Sequence, residues 1–154
     1  MRKILTQIAL AAVVTATGAL AADNSLGTWK LNIERSRFSP STPVKSLTTT
    51  REEAGRGIKV TTAGARADGT PINSSYTAKY DGSESPVTGA PYDTISIKQV
   101  NANTFTYTAK KKDGKYSIIG RSVVSKDGKT MTNTIKGTGA DGKPYNATML
   151  WDKQ

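Results

Sequence analysis

The chain has 154 residues, a formal net charge of +10, and neither cysteine nor histidine. Those two absences exclude disulfides, Cys/His zinc sites, His- or Cys-ligated haem, thiol nucleophiles and a Ser-His-Asp triad. They leave Asp, Glu, Lys and Tyr as the only acid–base candidates, in a length that suits one domain.

Met1-Arg2-Lys3 is a cationic start. The apolar run after it is unbroken from Ile8 to Val14 and interrupted only by Thr15, Thr17 and Gly18 up to Leu20. Ala19-Leu20-Ala21 then supplies the small-x-small pattern of a cleavage site, so residues 1–21 read as a secretory signal cut after Ala21. A membrane-spanning helix needs ~20 apolar residues, and this run is shorter. No cysteine follows it, which excludes a lipid-anchored lipoprotein. The expected mature protein is a single domain, residues 22–154, in the periplasm or outside the cell. Without Arg2 and Lys3 its net charge is +8, of which residues 88–154 carry +6. Such a surface suits an anionic envelope partner, and the compartment argues against nucleic acid.

From Ala22 onward the chain is punctuated by five Asp-Gly pairs, at Asp68, Asp81, Asp113, Asp127 and Asp141. Asp-Gly supplies the positive φ values of tight hairpin turns. The runs between them are rich in Thr, Val, Ile and Tyr, and alternate. Ile72, Tyr76, Ala78 and Tyr80 share one face of 72–80. Phe105, Tyr107 and Ala109 do so in 104–110, Met131, Asn133 and Ile135 in 130–136, and Tyr145, Ala147, Met149 and Trp151 in 145–152. This pattern predicts nine strands, at about 27–32, 44–53, 58–66, 71–80, 94–100, 104–111, 116–124, 130–137 and 144–152. Two longer connections separate them: 33–43, with room for one helical turn before Pro40, and 81–93, with Pro86, Gly89 and Pro91. The class is all-β, an antiparallel up-and-down meander of about 8–10 strands. A single apolar face must be buried by closure or stacking, and sequential hairpins favour a closed barrel. One hairpin pattern is used twice: Gly64-x-x-Ala67-Asp68-Gly69-x-Pro71-x-Asn73 returns as Gly137-x-x-Ala140-Asp141-Gly142-x-Pro144-x-Asn146.

The first strand, Leu26-Gly27-Thr28-Trp29-Lys30-Leu31-Asn32, and the last, Ala147 to Lys153, resemble the two ends of a calycin barrel. That superfamily includes the lipocalins and the intracellular fatty-acid-binding proteins. The resemblance covers the strand pattern and the ends. It implies that Gly27 and Trp29 form the opening Gly-x-Trp, with Trp29 plugging the closed end. Two features depart from those families. The basic last-strand residue that packs across the first-strand Trp has Met149 at its nearest match, so the contact is absent or supplied elsewhere. The 33–43 segment is also too short for a two-helix lid. The chain thus resembles a small exported, lidless, lipocalin-like barrel.

The expectation that follows from the fold is binding of a small apolar or amphipathic molecule, lipid- or fatty-acid-like, inside the barrel. Tyr76, Tyr107, Asn133 and Tyr145 are the candidate ligand residues on the inward face. Strand 116–124 has two possible registers, since Ile118 and Ile119 are both apolar. If Ile119 and Val123 face in, so does Arg121, as a buried anchor for a ligand carboxylate or phosphate; in the other register Arg121 is in solvent. The alternative is a barrel filled by its own side chains that acts through its basic surface, residues 98–143. No catalytic constellation is visible: most carboxylates sit in turns, and Glu52-Glu53 ends a strand. The sequence calls for no cofactor and no metal.

Overall fold

A computed structural model describes residues 22–154; the signal expected at 1–21 lies outside the described residues. Ten antiparallel strands follow one another: β1 (Gly27–Ser39), β2 (Val44–Ala54), β3 (Gly57–Arg66), β4 (Pro71–Lys79), β5 (Asp81–Thr88), β6 (Thr94–Asn101), β7 (Thr104–Lys110), β8 (Ser117–Val124), β9 (Thr130–Thr138) and β10 (Pro144–Lys153). Each pairs with its sequence neighbours, and β10 returns to β1, so the sheet is a closed meander barrel. Closure leaves no edge strand to template pairing with another chain.

The structure differs from the sequence expectation in two places. Residues 33–39 do not form a helical turn. β1 runs on to Ser39 and bulges, its pairing with β10 jumping from Asn32↔Leu150 to Arg37↔Thr148. Ser36 fills the interruption: its hydroxyl donates to Asn32 O (2.7 Å) and accepts the Leu150 amide (3.0 Å), so the ladder's polar groups stay satisfied. The second difference is that Asp81–Thr88 is a strand and not a loop. It is joined to β4 by Tyr80 alone, and its ladder to β4 contains only Ser75↔Thr88 and Tyr76↔Val87.

Four of the five Asp-Gly pairs use one local device. Asp68, Asp81, Asp127 and Asp141 each accept the backbone N–H two residues on, at 2.9–3.1 Å. The glycine after each has φ between 72° and 87°, the left-handed region that a side chain disfavours. The repeated hairpin pattern has a structural counterpart. A Cβ on Gly64 would lie 2.1 Å from Ser46 O, and one on Gly137 would lie 2.1 Å from Ser117 O. Each glycine lets a neighbouring strand press in beside a hairpin.

Inward side chains form two clusters. The larger contains Ile58, Val60, Ile95, Ile97, Phe105, Ile118 and Ile135. The smaller, at the end where β1 begins and β10 finishes, contains Trp29, Leu31, Val124, Met131 and Trp151. Trp29 is completely buried and donates its indole N–H to Ser25 O (2.8 Å). The basic residue across its ring is Lys153, opposite Trp29 in the β1–β10 register, with Nζ 5.1 Å from the ring centroid. The contact missing at Met149 is thus supplied four residues later. Residues Ala22–Ser25 cross this end as a strap: Gln99 Nε2 donates to Ala22 O (2.8 Å) and the Asn24 amide to Ala102 O (3.0 Å).

Removing the plug and removing its cation should therefore separate. Trp29→Ala opens a cavity in a packed cluster and is expected to cost about 3–5 kcal/mol. Lys153→Met keeps the stem and loses the cation–π contact, an expected cost of about 0.5–1 kcal/mol. Urea denaturation of both variants checks the difference.

Candidate functional site

The barrel is not filled. A cavity of about 480 Å³ lies above the Trp29 plug and opens towards the loops at the opposite end, Ser39–Pro43, Gly89–Asp93 and Lys111–Tyr116 among them. Its walls are mostly apolar: Phe38 from β1, Leu47 from β2, Ile95 and Ile97 from β6, Phe105 from β7, Met131 and Ile135 from β9, and Met149 and Trp151 from β10. Alternation delivers them, since every second residue of each strand points in.

The sequence candidates divide. Tyr76, Tyr107, Asn133 and Tyr145 all line the cavity, on β4, β7, β9 and β10. Arg121 does not. In β8 the buried positions are Ile118, Ser122 and Val124, and Arg121 is exposed on the outer wall. Gly120 explains the register. It faces inward opposite Tyr107, and a Cβ there would lie 2.2 Å from the Tyr107 ring. The phenol ring lies across the glycine and takes the space a side chain would use. Ile119, 62% exposed, is left outside beside Arg121.

The buried arginine of this barrel is Arg51, on β2, 8% exposed and on the cavity wall. Its Nε donates to Ser25 Oγ (3.1 Å), and its guanidinium lies 5.9 Å from the Phe105 ring centroid. The ion pairs of the described residues are Lys110–Glu84 and Lys111–Asp93, both at the surface, and Arg51 is in neither. Sequence reasoning passed over it because 48–53 reads Thr-Thr-Thr-Arg-Glu-Glu, with no apolar face. The usable signal was parity: Leu47, Thr49 and Arg51 share one side, and Leu47 belongs inside. Two further wall atoms are buried without a hydrogen-bond partner, Asn133 Oδ1 and Trp151 Nε1. Buried polar groups normally find partners, so this interior has unused polar capacity.

Tyrosines line the upper cavity and its mouth. Tyr92 and Tyr116 stack with centroids 5.5 Å apart, near Tyr76, Tyr107 and Tyr145. Burial raises the pKa of all five phenols. For Tyr116 it is pushed up to about 12, by burial first and then by Tyr145. For Tyr76 the same burial effect is opposed by Arg51. At neutral pH the ring is therefore uncharged phenol, able to pack flat and to donate hydrogen bonds.

No protein-family model matches the chain, and no curated protein does. Solved structures do. One is zebrafish ileal bile acid-binding protein complexed with cholic acid: 12% identity, 86% of this chain and 100% of that one, TM-score 0.51. Two others are barrels bound to DFHBI. EF1p2_mFAP2b has 12% identity over 85% of this chain and 94% of its own, at a TM-score of 0.48. The redesigned β-barrel mFAP1 has 13% identity over 88% and 100%, at 0.45. With the closed ten-strand meander, the likeness to the zebrafish protein shows the fold: a closed antiparallel barrel of the same general course. It differs from the helix-lidded form in having no α-helix among the described residues.

The phenols predict a pH dependence. Their neutral form is favoured on folding, so the stability they contribute is complete below the unfolded value of 10.0 and is lost as pH rises through the folded values. For Tyr116 that window is pH 10 to about 12. Tyrosinate absorbance is expected to appear late and together with loss of β-sheet circular dichroism. Free ionisation near pH 10 in a still-folded barrel would contradict the burial described.

Proposed function

We propose that this protein is a non-enzymatic, exported carrier that holds one small amphipathic molecule inside its barrel, with the apolar body among Ile95, Ile97, Phe105, Met131 and Met149. The observation that carries this reading is the 480 Å³ cavity with a buried arginine on its wall that makes no ion pair among the described residues. The volume is in the range of small-molecule sites, which are mostly apolar with a few convergent polar groups. Apolar burial would drive binding at ~25 cal/mol per Å², less the cost of association. Tyr76, Tyr107, Asn133 and Tyr145 would meet polar groups of the guest, and Arg51, in the role considered for Arg121, its polar end. The zebrafish barrel complexed with cholic acid supports the reading as a protein of like fold that holds a small molecule. An open interior disfavours the filled-barrel alternative. Export rests on residues 1–21.

Native mass spectrometry of the protein purified from its host's periplasm or medium tests both parts. The expected mass begins at Ala22 and carries a stoichiometric lipid- or fatty-acid-like molecule. A clean apo mass with no uptake of a fluorescent fatty-acid probe would overturn the carrier reading.

A second reading concerns the outside. The outward residues of β6–β9 include Lys98, Lys110, Arg121 and Lys136 and no carboxylate. Lys98, Thr106, Arg121 and Thr134 lie in one cross-strand row, with Ile119 and Lys136 in the next. We propose that this wall rests on an anionic envelope surface, each cation adding about 1 kcal/mol near such a membrane. Phosphatidylglycerol vesicles should bind the protein at low salt, and the triple change Lys98→Ser, Arg121→Ser, Lys136→Ser should reduce binding by about tenfold or more. Unchanged binding would remove the wall from the account.

A further inference from the structure

The Ala22–Ser25 strap lies beneath the barrel's closed end; it does not line the cavity, but its Ser25 side chain reaches Arg51 on the cavity wall. Asp23 Oδ1 accepts the Ser25 amide (2.8 Å) and the Ser25 hydroxyl (2.6 Å), while Asp23 Oδ2 accepts the Tyr80 hydroxyl. The Ser25 hydroxyl, having given its proton to Asp23, accepts from Arg51 Nε (3.1 Å). Ser25 is completely buried and is held again through its carbonyl by Trp29. The guanidinium is thus oriented through Nε from below, and a carboxylate stands one hydroxyl away on the side remote from the cavity.

This is a different electrostatic object from a lone buried arginine. A lone guanidinium on an apolar wall attracts a dianion more strongly than a monoanion, because attraction scales with charge and burial weakens screening. With Asp23 behind it, the arginine's charge is partly offset towards a distant charge, although Lys126 and Lys153 lie on the outer side of Asp23. Its hydrogen-bonding capacity towards a headgroup in contact is unchanged. The first negative charge of a headgroup would sit against the guanidinium; a second would feel the strap's carboxylate as well.

We propose that Asp23, through Ser25, is the specificity-determining residue of the cavity: it sets the site to take a headgroup of a single negative charge and to reject a doubly charged one. The inference rests on the carrier reading and adds to it which amphiphiles are refused. Asp23 acts through another residue, so it is a positioning and charge-setting group and not a ligand contact. Its place in the strap, outside the strands, would let selectivity change without disturbing the barrel.

The test uses three guests with the same alkyl chain, dodecanoate, dodecyl phosphate and dodecanol, at about pH 8, where the phosphate is mostly dianionic. Binding is measured by calorimetry to the wild type, Asp23→Asn and Arg51→Met, with thermal unfolding of each. The amide oxygen introduced by Asp23→Asn can still accept from Ser25, so the strap should hold. The wild type is expected to favour dodecanoate over dodecyl phosphate by about tenfold or more. Asp23→Asn should shift that ratio at least about tenfold towards the phosphate, chiefly by tightening the phosphate. Arg51→Met should bring dodecanoate down to the affinity of dodecanol. A carboxylate-to-phosphate ratio unchanged in a folded Asp23→Asn variant would overturn the proposal, as would a wild type that prefers the phosphate. Should the variant unfold, Asp23→Ser, which removes the charge and keeps an oxygen acceptor, is read by the same ratio, and no shift again overturns the proposal. A wild type that binds all three guests alike keeps the carrier reading and ends this one. A wild type that binds none ends both.

Discussion

The pairing of β1 with β10 is the contact on which everything else depends. Most strands have one face that water disfavours, and an open ten-strand sheet would expose that face and two unpaired edges. Bringing the ends of the chain together removes both problems at once. The meeting is secured at one end of the barrel, where Trp29 is buried and Lys153 lies across its ring, and farther along β1 the Ser36 hydroxyl repairs the ladder at the bulge. The opposite end has no such plug, and the loops there surround an opening. The asymmetry between a tight end and a loose one makes the interior a container.

The container is also less apolar than a stable core would be. A buried arginine in no ion pair, an asparagine oxygen and an indole N–H without partners each cost stability, and hydrophobic residues at the same positions would remove that cost. Such violations of local rules concentrate at functional sites. The tyrosines fit the same view. Phenol is apolar enough to wall a cavity and polar enough to contact a guest, and burial keeps it uncharged. A filled barrel would have no use for these groups.

How much of this was legible in the sequence depends on whether the signal was local. The Asp-Gly pairs and the period-two runs led directly to an antiparallel meander, because turn geometry and alternation are settled within a few residues. Tyr76, Tyr107, Asn133 and Tyr145 reached the cavity for the same reason: each lies in a run whose apolar face is plain. β5 was hidden because Asp81–Thr88 holds two acids, a proline and a glycine, and becomes a strand only because β6 gives it a partner, at Glu84↔Ser96 and Ser85↔Ile95. Arg121 was ambiguous for a reason no local pattern resolves. Its register is decided by the Tyr107 ring, from another strand, needing the room that Gly120 leaves. Lys153 escaped notice because the cross-barrel register, and not the distance from the chain end, decides which residue faces Trp29.

Arg51 is the instructive miss. One of the two registers open to strand 116–124 placed an arginine inside the barrel; the structure leaves Arg121 outside and buries Arg51, on another strand. Strand 116–124 drew attention because it is apolar, which makes a charge within it conspicuous. β2 is a run of threonines and charges, where one more charge is unremarkable. Yet an apolar strand has a well-packed inward face with little room for a guanidinium, whereas the threonines of β2, themselves small, leave space. The residue that can be buried with its charge is thus found where the strand looks least like core, and what makes it tolerable, the Ser25 hydroxyl with Asp23 behind it, comes from a segment outside the strands altogether.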